Sequence, residues 1–262
     1  MNIPTDFHSH VSYTSALEMA TAAKEKGLQV LGISEHIYQL YEFRPGLEHL
    51  PPEGSFLSTA DYIRQVREAA HMLSFDVRLG LEVDFIPSKN EAIQLAIQNQ
   101  PWDFLIGSIH EIDGLQFEGS YSWPREEGEV LWTQYFKLLQ EAILSDSFQV
   151  ISHPVRMGLR NPHLPSTFDQ ELEQIADVAS SCNVALEING KDMLAYPHLV
   201  YRLAQACAKH HTPMSVGSDA HYPDKVAQAH KETEQLLRQS GIHRVRIWKQ
   251  QEVEEYSLYF LS

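Results

Sequence analysis

Short apolar, β-branched runs recur along the chain, alternating with segments whose apolar residues return every three or four positions. The runs 3–8, 29–34, 77–83, 103–109, 148–152, 184–188, 213–217 and 244–248 read as strands. Between them, 15–26, 58–73, 88–98, 126–144, 167–181, 198–210 and 224–239 read as helices. The first helix should stop at Gly27, because glycine enters the left-handed region without steric cost. The second should open at Ser58, whose hydroxyl can accept a free amide of the first turn. Strand alternating with helix about seven times predicts parallel βα units, in a closed barrel or an open doubly wound sheet. No shift in composition divides the chain. A length of 262 residues suits an α/β barrel running as one unit, so a single domain over 1–262 is expected. Long connections fall at 38–56, 111–125 and 154–166, where this architecture places function.

The chemistry collects at the carboxyl ends of the strand-like runs. The first ends in Asp6-Phe7-His8-Ser9-His10, and residues two apart in extended chain point the same way, so His8 and His10 can grip one ion. Later runs end in Ser34-Glu35-His36, Glu82-Val83-Asp84, Ser108-Ile109-His110, Ser152-His153, Glu187-Ile188-Asn189 and Ser218-Asp219-Ala220-His221. His8, His10, His36, His110, His153 and His221, with Glu82 and Asp219, therefore fall where barrel strands deliver side chains to one face. Imidazole and carboxylate without thiolate suit zinc, manganese or iron in a multinuclear hydrolytic site. Glu82 stands mid-order among the strands and is the natural bridge between two ions. The remaining histidines lack such placement, and His71, His210 and His230, on helical segments, are expected to be solvated.

Charge narrows the substrate. With 20 basic and 35 acidic residues the net charge is −15, a field that opposes nucleic acid and anionic membrane. An anionic substrate must then be met by local cations. Candidates are Arg156 and Arg160 after the fifth run, Lys191 after the sixth, and Arg44 or Arg125, with Arg160 and Lys191 favoured because they closely follow ligand-bearing strands. The two cysteines, Cys182 and Cys207, form no CxxC, which excludes a disulfide framework and a thiolate zinc finger. The start of the chain has no leader-like segment and no apolar stretch reaches a membrane span, so a cytoplasmic protein is expected.

The ordered motifs HxH (His8, His10), SEH (34–36), GLEVDF (80–85), GSIH (107–110), ISHP (151–154) and GSDAH (217–221) resemble those of the polymerase-and-histidinol-phosphatase (PHP) superfamily. They span nearly the whole chain, and their forms are most similar to the histidinol-phosphatase branch. The resemblance implies a distorted seven-stranded (β/α) barrel, with 244–248 left as a peripheral strand. It also implies two to three divalent metal ions. His8, His10, Glu82 and Asp219 would hold one; Glu82, His110 and His153 the second; His36 and His221 would contribute to a third. Family members often carry another third-site histidine where this chain has Ala16, with Glu18, Tyr13 and Glu35 as nearby substitutes. After the sixth strand the chain reads Asn189-Gly190-Lys191-Asp192-Met193, where the branch carries small residues and an arginine. The implied activity is hydrolysis of a small phosphate ester, L-histidinol phosphate first, by a metal-bridged hydroxide attacking phosphorus in line. Glu82, Asp219 and His221 would carry catalysis, with Asp219 or a third-site histidine managing the leaving-group proton. Arg156, Arg160 and Lys191 would bind the substrate. The alternatives are another sugar, nucleotide or amino-alcohol phosphate, or a non-catalytic ligand- or metal-binding module.

Overall fold

In a computed structural model, which describes residues 3–119 and 122–258, strands and helices alternate along the chain. In order they are β1 (Thr5–Asp6), α1 (Ala16–Glu25), β2 (Val30–His36), α2 (Thr59–Leu73), β3 (Asp76–Asp84), α3 (Asn90–Ile97) and β4 (Phe104–Ser108). A small hairpin, β5 (Glu111–Ile112) and β6 (Leu115–Gln116), precedes α4 (Arg125–Leu144), β7 (Val150–Ile151), α5 (Phe168–Cys182) and β8 (Ala185–Asn189). There follow α6 (Gly190–Ala195), α7 (Pro197–His210), β9 (Met214–Gly217), α8 (His230–Gln239) and a terminal hairpin, β10 (Arg244–Lys249) and β11 (Glu252–Ser257).

Seven strands form one parallel sheet in the order β1-β2-β3-β4-β7-β8-β9. The sheet curls until the chain after β1 meets the end of β9. Phe7 N–H donates to Val216 O at 2.9 Å, and Asp219 N–H donates to His8 O at 2.8 Å. The expected distorted (β/α)7 barrel is thus the architecture, and all seven strands point their carboxyl ends to one face. Among the described residues no helix is long and apolar enough to cross a membrane.

The barrel interior is filled from its other end. A methyl group at Gly80 would lie 2.3 Å from the Phe104 ring, so this ring needs a glycine beneath it. Phe7, Phe104, Ile106, Val150 and Ala185 form a cluster completed by Ile247 and Trp248 of β10. The strand expected to be peripheral does lie outside the seven-stranded sheet, yet it plugs the barrel. Arg78 fastens it: Nη1 donates to Trp248 O at 3.1 Å and Nη2 to Glu254 Oε2 at 2.9 Å. Trp248→Ala should therefore lower unfolding free energy by about 3–5 kcal/mol, the range for removing a buried large aromatic. Denaturant titration reads this directly, and a loss below about 1 kcal/mol would mean that the hairpin does not plug the core.

Three departures from expectation have local causes. The last barrel helix starts at His230 rather than 224, because Lys26 Nζ takes the carbonyls of Asp224 (2.8 Å) and Val226 (2.6 Å). Ala227 and Ala229 are also left-handed there, with φ of 56° and 62°. His230 is not solvated: it is 2% exposed, with Nε2 2.9 Å from Thr5 O. Helix α6 forms because the Asn189 side chain accepts the amides of Lys191 and Asp192, an N-cap inside what reads as a loop.

Candidate metal centre

Six of the eight expected ligands are almost fully enclosed at the carboxyl face. His8, His10, His36, Glu82, His153 and Asp219 are each 5% exposed or less. His110 and His221 stand at the rim, with side chains 17% and 11% exposed. β2 ends on His36 and β3 carries Glu82, while His110, His153 and Asp219 lie two residues beyond β4, β7 and β9. His153 and Asp219 adopt positive φ, 32° and 56°. Such backbone costs roughly 1–3 kcal/mol in a residue with a side chain and persists where the surroundings enforce it.

Glu82 is the pivot. Its Oε2 faces His36 Nδ1 at 2.8 Å, His8 Nε2 at 3.3 Å and His10 Nε2 at 3.6 Å. Its Oε1 faces His153 Nε2 at 3.3 Å and His110 Nε2 at 3.5 Å. Ser108 Oγ donates to the same Oε1 at 2.7 Å. Asp219 Oδ1 lies 3.5 Å from His10 Nε2, closing the first set. The two oxygens thus look toward two different groups of imidazoles, the arrangement a bridging carboxylate requires.

The donor set fits divalent cations. Buried polar atoms ordinarily have hydrogen-bond partners, yet His8 Nε2, His10 Nε2, His36 Nδ1, His221 Nε2 and Glu82 Oε2 make no well-aligned hydrogen bond and meet only one another and nearby carboxylates. These atoms converge, and His8, His10 and Glu82 on one side, Glu82, His110 and His153 on the other, and His10, His36 and His221 at the rim each offer ligand atoms within 4.8 Å of one another. Electrostatics agree. Burial works against ionisation of Glu82, but His36 and His8 hold its carboxyl well below the usual range. Burial likewise opposes the Asp219 charge, and Lys191 and Arg156 overcome it. Some of the imidazoles offset part of that negative charge by holding protons. Against the pull of burial, carboxylate neighbours raise His10 to about 9 and His110 to about 10. A divalent ion takes the place of such protons, so binding should release them.

The third corner is filled by a residue that the sequence did not single out. Ala16 is fully buried where α1 begins and faces the apolar core. Glu18 caps α1, and Glu35 lies behind His10 with Oε1 3.4 Å from Nδ1. Glu53, from the long connection 38–56, brings its Oε2 to 2.9 Å from His221 Nε2 and 3.9 Å from His36 Nε2. Fully buried Gln39 pins this stretch by pairing with the Glu53 backbone at both N–H and C=O. Burial opposes its charge, but His221 and His36 hold the Glu53 carboxyl down at about 2. The signal that could have found it is weak: a carboxylate in a loop has no periodicity to mark it.

The candidate cations separate. Arg156 and Lys191 line the cavity over the site, whereas Arg160 is exposed and donates to Glu118 O at 3.2 Å, outside the lining. Arg44 is engaged with the Tyr38 and Glu48 carbonyls and Arg125 with Glu129, and neither lines the cavity. Arg156 is itself 4% exposed and already engaged, with Nε 2.6 Å from Asp192 Oδ1 and Nη2 2.8 Å from Asp219 Oδ2. Lys191 Nζ reaches Asp219 Oδ1 at 2.9 Å while its side chain stays 43% exposed. Of the favoured pair, the structure brings Lys191 to the site and leaves Arg160 outside.

Known proteins are similar to this chain to different degrees. A protein of Deinococcus radiodurans named as a probable histidinol-phosphatase is 29% identical over 224 residues, 80% of this chain and 81% of that one. A protein of Vibrio parahaemolyticus named as a probable phosphatase is 26% identical over 257 residues, 94% of this chain and 89% of its own. The crystal structure of histidinol phosphate phosphatase from Lactococcus lactis, complexed with zinc, L-histidinol and phosphate, superposes with a TM-score of 0.80 at 18% identity, covering 96% of this chain and 98% of that one. The PHP domain family matches residues 5–191, which run from β1 into α6 and include all of the expected ligands except Asp219 and His221. With that match over most of its length and the barrel beneath it, the chain belongs to the PHP family.

Proposed function

We propose that this protein is a metal-dependent phosphomonoesterase, with L-histidinol phosphate as its substrate, acting in the cytoplasm in histidine biosynthesis. The observation that carries the reading is Glu82, whose two oxygens face two sets of imidazoles at the floor of an open cavity. His8, His10, Glu82 and Asp219 would hold one ion, and Glu82, His110 and His153 a second. His36, His221 and Glu53 would form a third site. Such ions lower the pKa of a bound water toward neutrality and clamp phosphoryl oxygens.

The chain's own residues do the rest. Lys191, at the cavity edge, supplies a half-exposed cation for the phosphate, where the net charge of −15 would otherwise repel it. Arg156 is spent on orienting Asp219. Two cations hold Asp219 ionised, which favours the ligand role over donation of the leaving-group proton. The cavity, about 290 Å³, suits a small ester. Tyr38, Leu50 and Pro51 offer an apolar wall for a ring, and Glu118, with Gln116 beside it, offers a carboxylate for a cation. That pairing favours an aromatic amino-alcohol phosphate over a sugar phosphate, whose many hydroxyls would need polar partners on that wall. The name of the Deinococcus radiodurans protein and the ligands of the Lactococcus lactis structure favour the same substrate, while the Vibrio parahaemolyticus protein is named only as a probable phosphatase.

The test is phosphate release from L-histidinol phosphate, an aryl phosphate, a sugar phosphate and a nucleotide, with metal content measured on the same sample. Highest catalytic efficiency on L-histidinol phosphate is expected. Preference for another ester would correct the substrate, and no release from any ester by metal-loaded protein would leave a binding module.

The third corner gives its own expectation. Glu53→Gln should weaken the outermost ion while leaving two ions per chain, as read by metal titration. Ala16→His should add no ion and should destabilise the fold, because an imidazole replaces a methyl group in a closed core. An Ala16→His variant that gained an ion would show that Glu53 does not serve there.

A further inference from the structure

Three carboxylates stand behind imidazoles of the centre, each on the ring nitrogen turned away from Glu82. Glu35 Oε1 lies 3.4 Å from His10 Nδ1, Asp84 Oδ1 2.7 Å from His110 Nδ1, and Glu187 Oε1 2.8 Å from His8 Nδ1. A carboxylate there takes the Nδ1 proton and leaves the Nε2 lone pair for a metal. In all three rings Nε2 is the nitrogen that faces Glu82.

Glu187 differs from the other two. Asp84 supports the ring of His110 alone. Glu35 also accepts the His36 amide at 2.9 Å, but His10 and His36 both face Glu82 Oε2. Glu187 reaches both sides of the pivot. Its Oε1 holds the ring of His8, which faces Glu82 Oε2, and its Oε2 accepts the backbone N–H of His153 at 2.8 Å. The His153 side chain faces Glu82 Oε1, and its positive φ is the kind of conformation that needs such a restraint. Asn189 Nδ2 donates to Oε2 at 3.0 Å and keeps the carboxylate in place. The fold makes room for it: a Cβ at Gly217, on the neighbouring strand, would stand 2.3 Å from both Glu187 Oε1 and the His8 Cβ.

We infer that Glu187 is the positioning residue that sets the two main ion sites relative to one another, by orienting His8 for one and His153 for the other. The inference rests on the metal-dependent reading above, and metal binding tests it without turnover. Glu187→Gln preserves volume but has one acceptor oxygen. Its amide must face either His8 Nδ1, turning that ring to the tautomer that cannot ligate through Nε2, or the His153 N–H, where donor meets donor.

Metal-free protein titrated with zinc against a chromogenic chelator should show both main affinities falling by about 10–100-fold in Glu187→Gln, the range for lost outer partners. Asp84→Asn should weaken only one. Nitrogen-15 imidazole spectra of zinc-loaded wild-type protein should show His8 protonated at Nδ1 with a slowly exchanging proton. If Glu187→Gln does not fold by circular dichroism, Glu187→Asp, which withdraws both acceptors by one methylene, should show the same double loss at smaller size. Wild-type affinity at both sites in the folded variant, a loss confined to one ion, or His8 protonated at Nε2 in the wild type would overturn the inference. Wild-type protein that binds no zinc would instead overturn the metal-dependent reading itself.

Discussion

Glu82→Gln should strip the protein of both main ions and reduce turnover by orders of magnitude, more than any single histidine replacement. Each histidine serves one side of the pivot, whereas Glu82 presents Oε2 to His8, His10 and His36 and Oε1 to His110 and His153. Glutamine has nearly the same shape but carries no charge and only one acceptor. Whichever way it turns, its amide points at a group of imidazole nitrogens or at the Ser108 hydroxyl that now donates to Oε1 at 2.7 Å. Metal analysis and phosphate release on the same preparation decide the matter, with His110→Ala for comparison. That variant should weaken one ion and spare the other. A Glu82→Gln protein that keeps two ions and a near-normal rate would remove the bridging role, and with it the arrangement on which the proposed activity depends.

The residues around Glu82 were readable because a parallel barrel imposes a simple rule on its strands. Each delivers its last side chains to the same face, so histidines at the ends of separate apolar runs become neighbours without any local sequence signal. His8 and His10 add the two-residue period of extended chain. What escaped had no period. Glu53 reaches the site through a connection held by the buried Gln39, a tertiary contact between residues fourteen apart. Helix α6 hides in a stretch that reads as a loop because its only marker is the Asn189 cap. Strand β11 carries Glu252, Glu254 and Glu255, and its mostly exposed, charged surface obscures the alternation that marks a strand. His230 looks solvated on a helical segment, but that helix turns it inward against β1.

Arg156 was legible as a cation near the site, though not for what surrounds it, and its removal should cost the fold about as much as the loss of Trp248. The guanidinium is 4% exposed and bonds to Asp192, Asp219 and Asn189. Burial opposes its charge, but Asp192, Glu118 and Asp219 hold its pKa well above the ordinary value. Arg156→Met would leave two carboxylates buried without their partner, a loss of about 3–5 kcal/mol in unfolding free energy. Much of that loss belongs to Asp192. Burial already lifts its carboxyl to about 6 even with Arg156 present. Because this lies above the unfolded value of 3.8, the folded state binds the proton more tightly. The stability so gained is complete below the unfolded pKa and is lost as pH rises through about 6. Wild-type protein should therefore lose stability relative to Asp192→Asn between roughly pH 4 and 6, and in Arg156→Met the window should extend upward because the counter-charge that opposes burial is gone. Adding Asp192→Asn to Arg156→Met should recover part of the loss, since the neutral amide needs no counter-charge. A double-mutant cycle by denaturant titration gives the coupling, expected at about 0.5–3 kcal/mol for groups in one network. Arg156→Met with wild-type stability, or a cycle with no coupling, would mean that these charges are not held by one another. Metal titration of Arg156→Met then separates its two duties, because Asp219 without its guanidinium should also bind its ion more weakly, even in the fraction that remains folded.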